Sequence, residues 1–259
     1  MLRSWLEAQP IVVIGIVVFV IAYSFTAIVF VLIAYSPASY RRHYKQLSPV
    51  TVTALSLVLG VLLGFLASRV WANFDRATGL VRQEASALAQ VLIYAETTPP
   101  VTRARLREIV GAHVRSILDE EWPAMARRER VPREHAPPLT EALTAILAFT
   151  PTQHGDGLAQ TRALAAVEVA FDSRRNRINI GSASMDRSQW RLILILFALL
   201  IVTVGMVHAD DRISCAIALF LVASASASAF VLLLGYDHPF NARGGVFVEP
   251  TLLRELLAQ

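Results

Sequence analysis

Cysteine is almost absent: Cys215 is the only one, and it lies inside an apolar run. That excludes a disulfide framework and any multi-cysteine metal centre. Lysine is equally scarce, with Lys45 alone, so the net charge of +4 comes from arginine. The chain has no Gly-x-Ser-x-Gly elbow, no glycine loop that would cradle a phosphate and no His-Glu-x-x-His, and its six histidines are scattered. The reading is therefore of a non-enzyme, with no catalytic residue, no cofactor and no metal site. His208, Asp210 and Asp211 share one short connector, but three polar residues in such a segment are ordinarily just a turn. Between Trp71 and Trp190 there are 15 arginines and 14 acidic residues, a balance without the basic footprint that nucleic acid requires. No internal repeat is evident.

Charge is also missing over long distances, from Ala8 to Tyr40 and again from Gln46 to Ser68. A membrane span needs about 20 apolar residues, so each stretch is long enough to cross a bilayer as a helix. The first span is expected at about 11–35, after Pro10 and before Ser36-Pro37, with Trp5, Tyr35 and Tyr40 as interfacial anchors. It is too long for the apolar segment of a signal peptide and lacks a clear cleavage site, so it is read as retained. The second is expected at about 49–68, the third at 190–207 and the fourth at 213–236. Ala223–Ala229 alternates alanine and serine, yet a lone strand in lipid leaves its backbone unsatisfied, so helix is expected there too.

Between the second and third spans, 29 of the 44 charged residues are concentrated. Phe74, Ala77, Val81, Ala85, Leu88, Leu92 and Ala95 recur at helical steps directly after Arg69, so one rod is expected to continue from the second span into a helical soluble insert. Thr97-Thr-Pro-Pro100 ends it. A second helix, capped near Thr102, carries Leu106, Ile109, Val114 and Ile117 on one side and reaches Glu121-Trp122-Pro123, where Pro123 kinks or stops it. Arg127–Pro138 reads as a loop, Leu139–Phe149 as a short helix, and Leu158–Ser184 as a long one with Leu164, Val167 and Phe171 inward. The fold class is thus all-α: four transmembrane helices with a helical soluble insert. The divisions are 1–70, 71–189, 190–236 and a tail, 237–259, holding a Gly244-Gly245 turn and a last amphipathic helix from about Pro250.

Four spans put both termini and the insert on one side. Eleven arginines near the span ends fall there (Arg3, Arg69, Arg76, Arg82, Arg174, Arg175, Arg177, Arg187, Arg191, Arg243, Arg254), against Arg41, Arg42, Lys45 and Arg212 opposite. The positive-inside rule then favours a cytoplasmic insert in a bacterial inner membrane, although the Arg41, Arg42, Lys45 cluster pulls the other way. On the second span Thr53, Ser56, Gly60, Gly64 and Ser68 form a small, slightly polar face. Such a face lines a narrow pore or lets another helix pack closely. Arg69 at its end either concentrates anions at a pore mouth or snorkels to headgroups. Ser224, Ser226 and Ser228 make the fourth span small on all sides, and burial between neighbours is expected. Glu84 adjoins the buried stripe, so it is either solvated or paired with Arg174 or Arg177. Glu121 and Trp122 are expected to pack and cap. Pro239 would stop the fourth span, Phe240 would anchor the tail, and Asp237 would pair with an arginine.

The order of an apolar pair, Trp71…Phe74-Asp75…Glu84–Leu88, Glu121-Trp122-Pro123, Arg174, two more spans and Asp237-x-Pro-Phe240 resembles a family of bacterial membrane proteins described as bestrophin-like, over roughly 52–249. The resemblance implies an oligomeric ion channel, since bestrophins are pentameric anion channels whose pore runs through a membrane neck and a helical cytosolic vestibule. It implies the lipid bilayer, further copies of the chain and inorganic ions as partners. Two family features are not carried over. The bestrophin neck is lined by bulky, largely aromatic residues, whereas this second span offers Phe65 and otherwise Leu, Val, Gly and small polar residues; and Asp119-Glu120-Glu121 does not match the acidic calcium clasp of animal bestrophins. A membrane-anchored helical sensor or scaffold without transport, and a cation-selective channel, stand as the alternative readings.

Overall fold

The computed structural model describes residues 10–37, 44, 48–127, 129–132, 136–150, 155–241 and 246–258. Arg3, Trp5, Tyr40, Arg41, Arg42, Lys45, Arg243 and the Gly244-Gly245 turn lie outside the described residues. Among the described residues the regular structure is helical throughout: α1 (Ile11–Ala34), α2 (Pro49–Ala95), α3 (Pro100–Ser116), a π-helical turn (Ile117–Glu121), α4 (Trp122–Ala126), α5 (Pro137–Ala148), α6 (Asp156–Ser182), α7 (Arg187–Val207), α8 (Arg212–Tyr236) and α9 (Thr251–Leu257). Four helical stretches are long and apolar enough to cross a membrane: Ile11–Ala34, Pro49–Ala95, Asp156–Val207 and Arg212–Tyr236. The third joins α6 to α7, which part at 183–186, and its uncharged apolar run, Leu192–Val207, lies in α7.

The chain forms two compact units, the first from Met1–Ala72 with Ser184–Asp237, the second from Asn73–Ala183 with His238–Ala242 and Val246–Gln259. In the first, α8 packs on α1 and α7, and α1 on α7. α1 is apolar all round but buries only one stripe, Ala22, Thr26, Val29 and Ile33, leaving Val20, Ile21, Ile28 and Leu32 exposed. A helix apolar on every face suits a hydrocarbon surround rather than water. Phe197 ties the centre together, tilted against Phe25 at 6.1 Å and edge-on to Phe230 at 5.5 Å. Gly205 allows close packing of α7 on α1, since a Cβ there would meet Ile33 Cδ1 at 2.5 Å. Thr26 and Thr203 donate within their own helices to the carbonyls of Ala22 and Leu199, while between α1 and α8 the Tyr23 hydroxyl pairs with Ser224 at 2.9 Å and its ring stacks on Phe220. Ser226 is buried as expected, but Ser228 is exposed and donates to the Ser224 carbonyl, because only one side of α8 meets the neighbouring helices. Asp211 caps α8 by accepting the Ile213 and Ser214 amides, and the Ser214 hydroxyl, which also donates to it, together with these amides holds its carboxyl below the usual range. His208 Nδ1 lies 2.9 Å from the Val204 carbonyl, so both residues of the connector have helix-ending work.

The second unit is a bundle of amphipathic helices. Ala77, Val81, Ala85, Leu88, Val91 and Ala95 of α2 meet Leu106, Ile109, Val110 and Val114 of α3 and Leu139, Ala142 and Ile146 of α5 in one core. α3 starts at Pro100 rather than near Thr102, since a proline at the first helical position has its φ preset and no N–H to lose. Pro137 and Pro138, read from composition as loop, open α5 for the same reason. Gln160 of α6 donates from Nε2 to the carbonyls of Ile146 and Phe149, both at 2.8 Å, and so satisfies the end of α5. In the N-terminal half of α6, Ala163, Ala166, Val167 and Ala170 are buried, with Leu164 and Phe171 partly buried at the flanks: small side chains let this helix sit close. The tail belongs to the same unit. Phe240 meets Trp122 edge-on at 5.2 Å, the Pro239 carbonyl accepts the Val248 amide at 2.7 Å, and Leu253 and Leu256 of α9 join the core.

Candidate functional site

Thr53, Ser56, Gly60, Gly64 and Ser68 lie on α2 within the first unit, and all five are exposed. The side of α2 that the chain itself covers is a different one, carrying Leu59, Leu66 and Val70. Around Gly60 and Gly64 an added Cβ would meet nothing within 4 Å, unlike Gly205. The Thr53 hydroxyl reaches the Pro49 carbonyl at 3.4 Å, so it stays on the helix surface. Beside this small face is an apolar one, where Val58, Val61 and Phe65 are also exposed. Arg69 is exposed at the end of the small face, and Trp71 stacks on Tyr236 of α8 with ring centroids 5.5 Å apart. Asp237, the next residue of the chain, accepts the Met185 amide at 2.8 Å and thereby secures the approach to α7.

The remaining motif residues converge inside the second unit on a buried charge network. Arg177 of α6, fully buried, donates from Nε to Glu84 of α2 at 2.6 Å and from Nη2 to Glu121 at 2.6 Å. Arg174 donates from Nε to the other oxygen of Glu121 at 2.7 Å and from Nη2 to the Pro132 carbonyl at 3.0 Å. Two guanidinium groups and two carboxylates cancel, which is what makes burial tolerable. Burial alone would push the Glu84 carboxyl up; the charge of Arg177 and the contacts from His113 and Arg177 outweigh it and hold the group below the usual carboxylate range. For Arg177 the same competition runs the other way: burial would lower it, and Glu84 and Glu121 raise it. Both remain charged through the physiological range.

Glu84 is therefore neither solvated nor paired with Arg174; it takes Arg177, while Arg174 takes Glu121. Glu121 is an ion-pair partner rather than a cap, and it reaches the network because the backbone adopts the π-turn Ile117–Glu121, whose end is marked by the Trp122 amide bonding to Ile117 O. Pro123 has no N–H to offer to residue 119 and would crowd that carbonyl in a regular α-helix; the wider turn accommodates it, and the helix continues to Ala126. His113 went unnoticed in the sequence. It is buried on α3 with Nε2 3.5 Å from Glu84, longer than a good hydrogen bond, and the nitrogen has no hydrogen-bond partner among the described residues. A signal was available: position 113 falls on the apolar stripe between Ile109, Val110 and Val114. Met125, 3.8 Å from Arg177 through its sulfur, closes the network, and Gly181 leaves room for it, since a Cβ there would lie 2.9 Å from that sulfur.

A family model described as bestrophin-like domain matches residues 20–252. Among solved structures, a point mutant of a bacterial bestrophin homologue from Klebsiella pneumoniae aligns with a TM-score of 0.64 and 15% identity, covering 94% of this chain and 98% of that one. A second mutant of the Klebsiella homologue gives 0.63 and 15%, over 94% and 99%. A structure described only as a membrane protein gives 0.65 and 14%, over 94% and 97%. A search of curated proteins returned no match. At these identities the structural likeness establishes the fold, and the family follows from the match to its model across most of the chain. With four helices apolar and long enough for a bilayer, this integral membrane protein belongs to the bestrophin-like domain family.

Proposed function

We propose that the chain assembles into a homo-oligomeric ion channel, anion-conducting, whose pore is lined by copies of the Thr53, Ser56, Gly60, Gly64, Ser68 face of α2. The observation that carries this is the exposure of all five residues in the single chain, with Gly60 and Gly64 open to at least 4 Å. Exposed hydroxyls and helix backbone on an otherwise hydrocarbon helix serve a hydrated path better than they serve lipid. Arg69 at the end of that face gives the mouth a positive charge and sets the preference for anions. The pentamer implied by the bestrophin likeness is the proposed assembly. The second unit is the soluble insert, held on the cytoplasmic side of the inner membrane by the arginine bias of the span ends.

Purified protein reconstituted into liposomes tests this through anion efflux under a chloride gradient, with the assembly mass measured in the same detergent. Efflux from a multi-subunit species that falls in Arg69→Ala supports an anion channel. Efflux carried by potassium with no anion current makes the channel cation-selective. A monomer that passes no ion under any gradient returns the chain to the reading of a membrane-anchored scaffold.

A further inference from the structure

α2 and α6 leave a groove between them on the second unit, with a cavity volume of about 330 Å³. That is within the range of small-molecule sites, about 300–1,000 Å³. Its floor is small and apolar because Ala87 and Ala166 are buried where the helices approach, and Ala165 and Val169 continue it. Its rim is polar. Gln83, Ser86, Gln90 and Tyr94 project from one face of α2 at three- and four-residue spacing, and Arg162 faces them from α6. Five hydrogen-bonding side chains thus share one groove, and among the described residues none of them spends its side chain on an ion pair or hydrogen bond elsewhere. No carboxylate lines the groove. Elsewhere on this unit Arg103, Arg105, Arg107 and Arg127 are paired with Glu96, Glu141, Glu96 and Glu129, whereas Arg76, Arg82 and Arg115 are, like Arg162, exposed and form no ion pair among the described residues; Arg162 alone of these four lines the groove.

We infer that this groove is a binding site for a small organic anion, a carboxylate on a short apolar body. The guanidinium of Arg162 takes the carboxylate as a planar, two-donor partner. The amides of Gln83 and Gln90 and the hydroxyls of Ser86 and Tyr94 supply further donors along the groove. The apolar body lies on Ala165, Ala166 and Val169. The ligand is distinct from any permeant ion, because the site is a groove between two helices of the second unit and uses none of the small residues of α2 near Gly60.

The test uses para-fluorobenzoate as the probe, followed by fluorine NMR on the full chain in detergent. Saturable binding with a midpoint of roughly a millimolar is expected, the range of one charge-assisted contact supplemented by a small apolar one. Arg162→Gln should weaken it about tenfold, with Arg162→Lys between the two. Ala165→Leu, which fills the exposed floor without touching the core, should abolish it while leaving the melting temperature in place. Chloride should displace the probe only at far higher concentration than benzoate does. Non-saturable signal loss, an unchanged affinity in Arg162→Gln or Ala165→Leu, or equal competition by chloride would each overturn the assignment. These readouts are equilibrium binding, so a channel without this site and a site on a protein that conducts nothing remain separable.

Discussion

Arg177 does the work of two residues, joining a carboxylate of α2 to one from the π-turn while fully buried. Removing it leaves Glu84 and Glu121 without their shared counter-charge, and breaking a buried pair from one side costs about 3–5 kcal/mol. Arg177→Met should therefore lower the denaturation midpoint of the second unit more than any exposed arginine change such as Arg105→Met. Glu84 adds a pH dependence. Its carboxyl is held below the usual range in the folded protein, so the unfolded chain binds the proton first as acid is added. The contribution is whole above the unfolded value, about 4.3, and fades as pH falls through the lowered folded value. Stability measured from neutral pH downwards should drop steeply below that point in the parent, and Glu84→Gln should be less stable at neutrality with a flatter acid limb. An equal acid slope in the two proteins would assign the slope to other groups.

The helices themselves were the most legible feature, for reasons visible in particular elements. α2 runs unbroken from Pro49 to Ala95 because neither Gly nor Pro interrupts 65–78 and its apolar stripe continues at helical spacing past Arg69. What sequence spacing does not reveal is which way a helix turns a feature that its own chain leaves unpartnered. The small face of α2 is plain in sequence, yet its exposure depends on Leu59, Leu66 and Val70 being the residues taken into the core. The π-turn escapes a search for a 3.6-residue period altogether, and with it the ion-pair role of Glu121 toward Arg174 and Arg177, whereas the Glu84–Arg177 pair is one of those the sequence offers. Pro123 marks the place without stating the remedy. At this scale the glycines divide into two kinds. Gly205→Val should destabilise the first unit by about 1–3 kcal/mol, because its side chain meets Ile33 of α1 and must displace it. At Gly60 and Gly64 an added Cβ meets nothing within 4 Å, so Gly60→Leu and Gly64→Leu should leave the melting temperature within error and abolish ion flux. Loss of folding in either variant would mean that the face is covered within one chain.

For the whole molecule, the first unit supplies four apolar stretches and the second a bundle of amphipathic helices, with one helix contributing residues to both. The proposal rests on what happens where several copies of that helix meet. The single native cysteine, buried in α8, makes the decisive measurement practicable. In a Cys215→Ala background, cysteines are placed one at a time at Thr53, Ser56, Gly60, Gly64 and Ser68, and for comparison at Val58 and Phe65 on the neighbouring apolar face. Anion efflux from liposomes is then followed before and after a charged, membrane-impermeant thiol reagent. Abrupt loss of efflux for the five small positions, with Val58 and Phe65 unaffected, is the result expected of a pore lined by this face. Block at Val58 or Phe65 with the five untouched, or efflux indifferent to the reagent at every position, would contradict it.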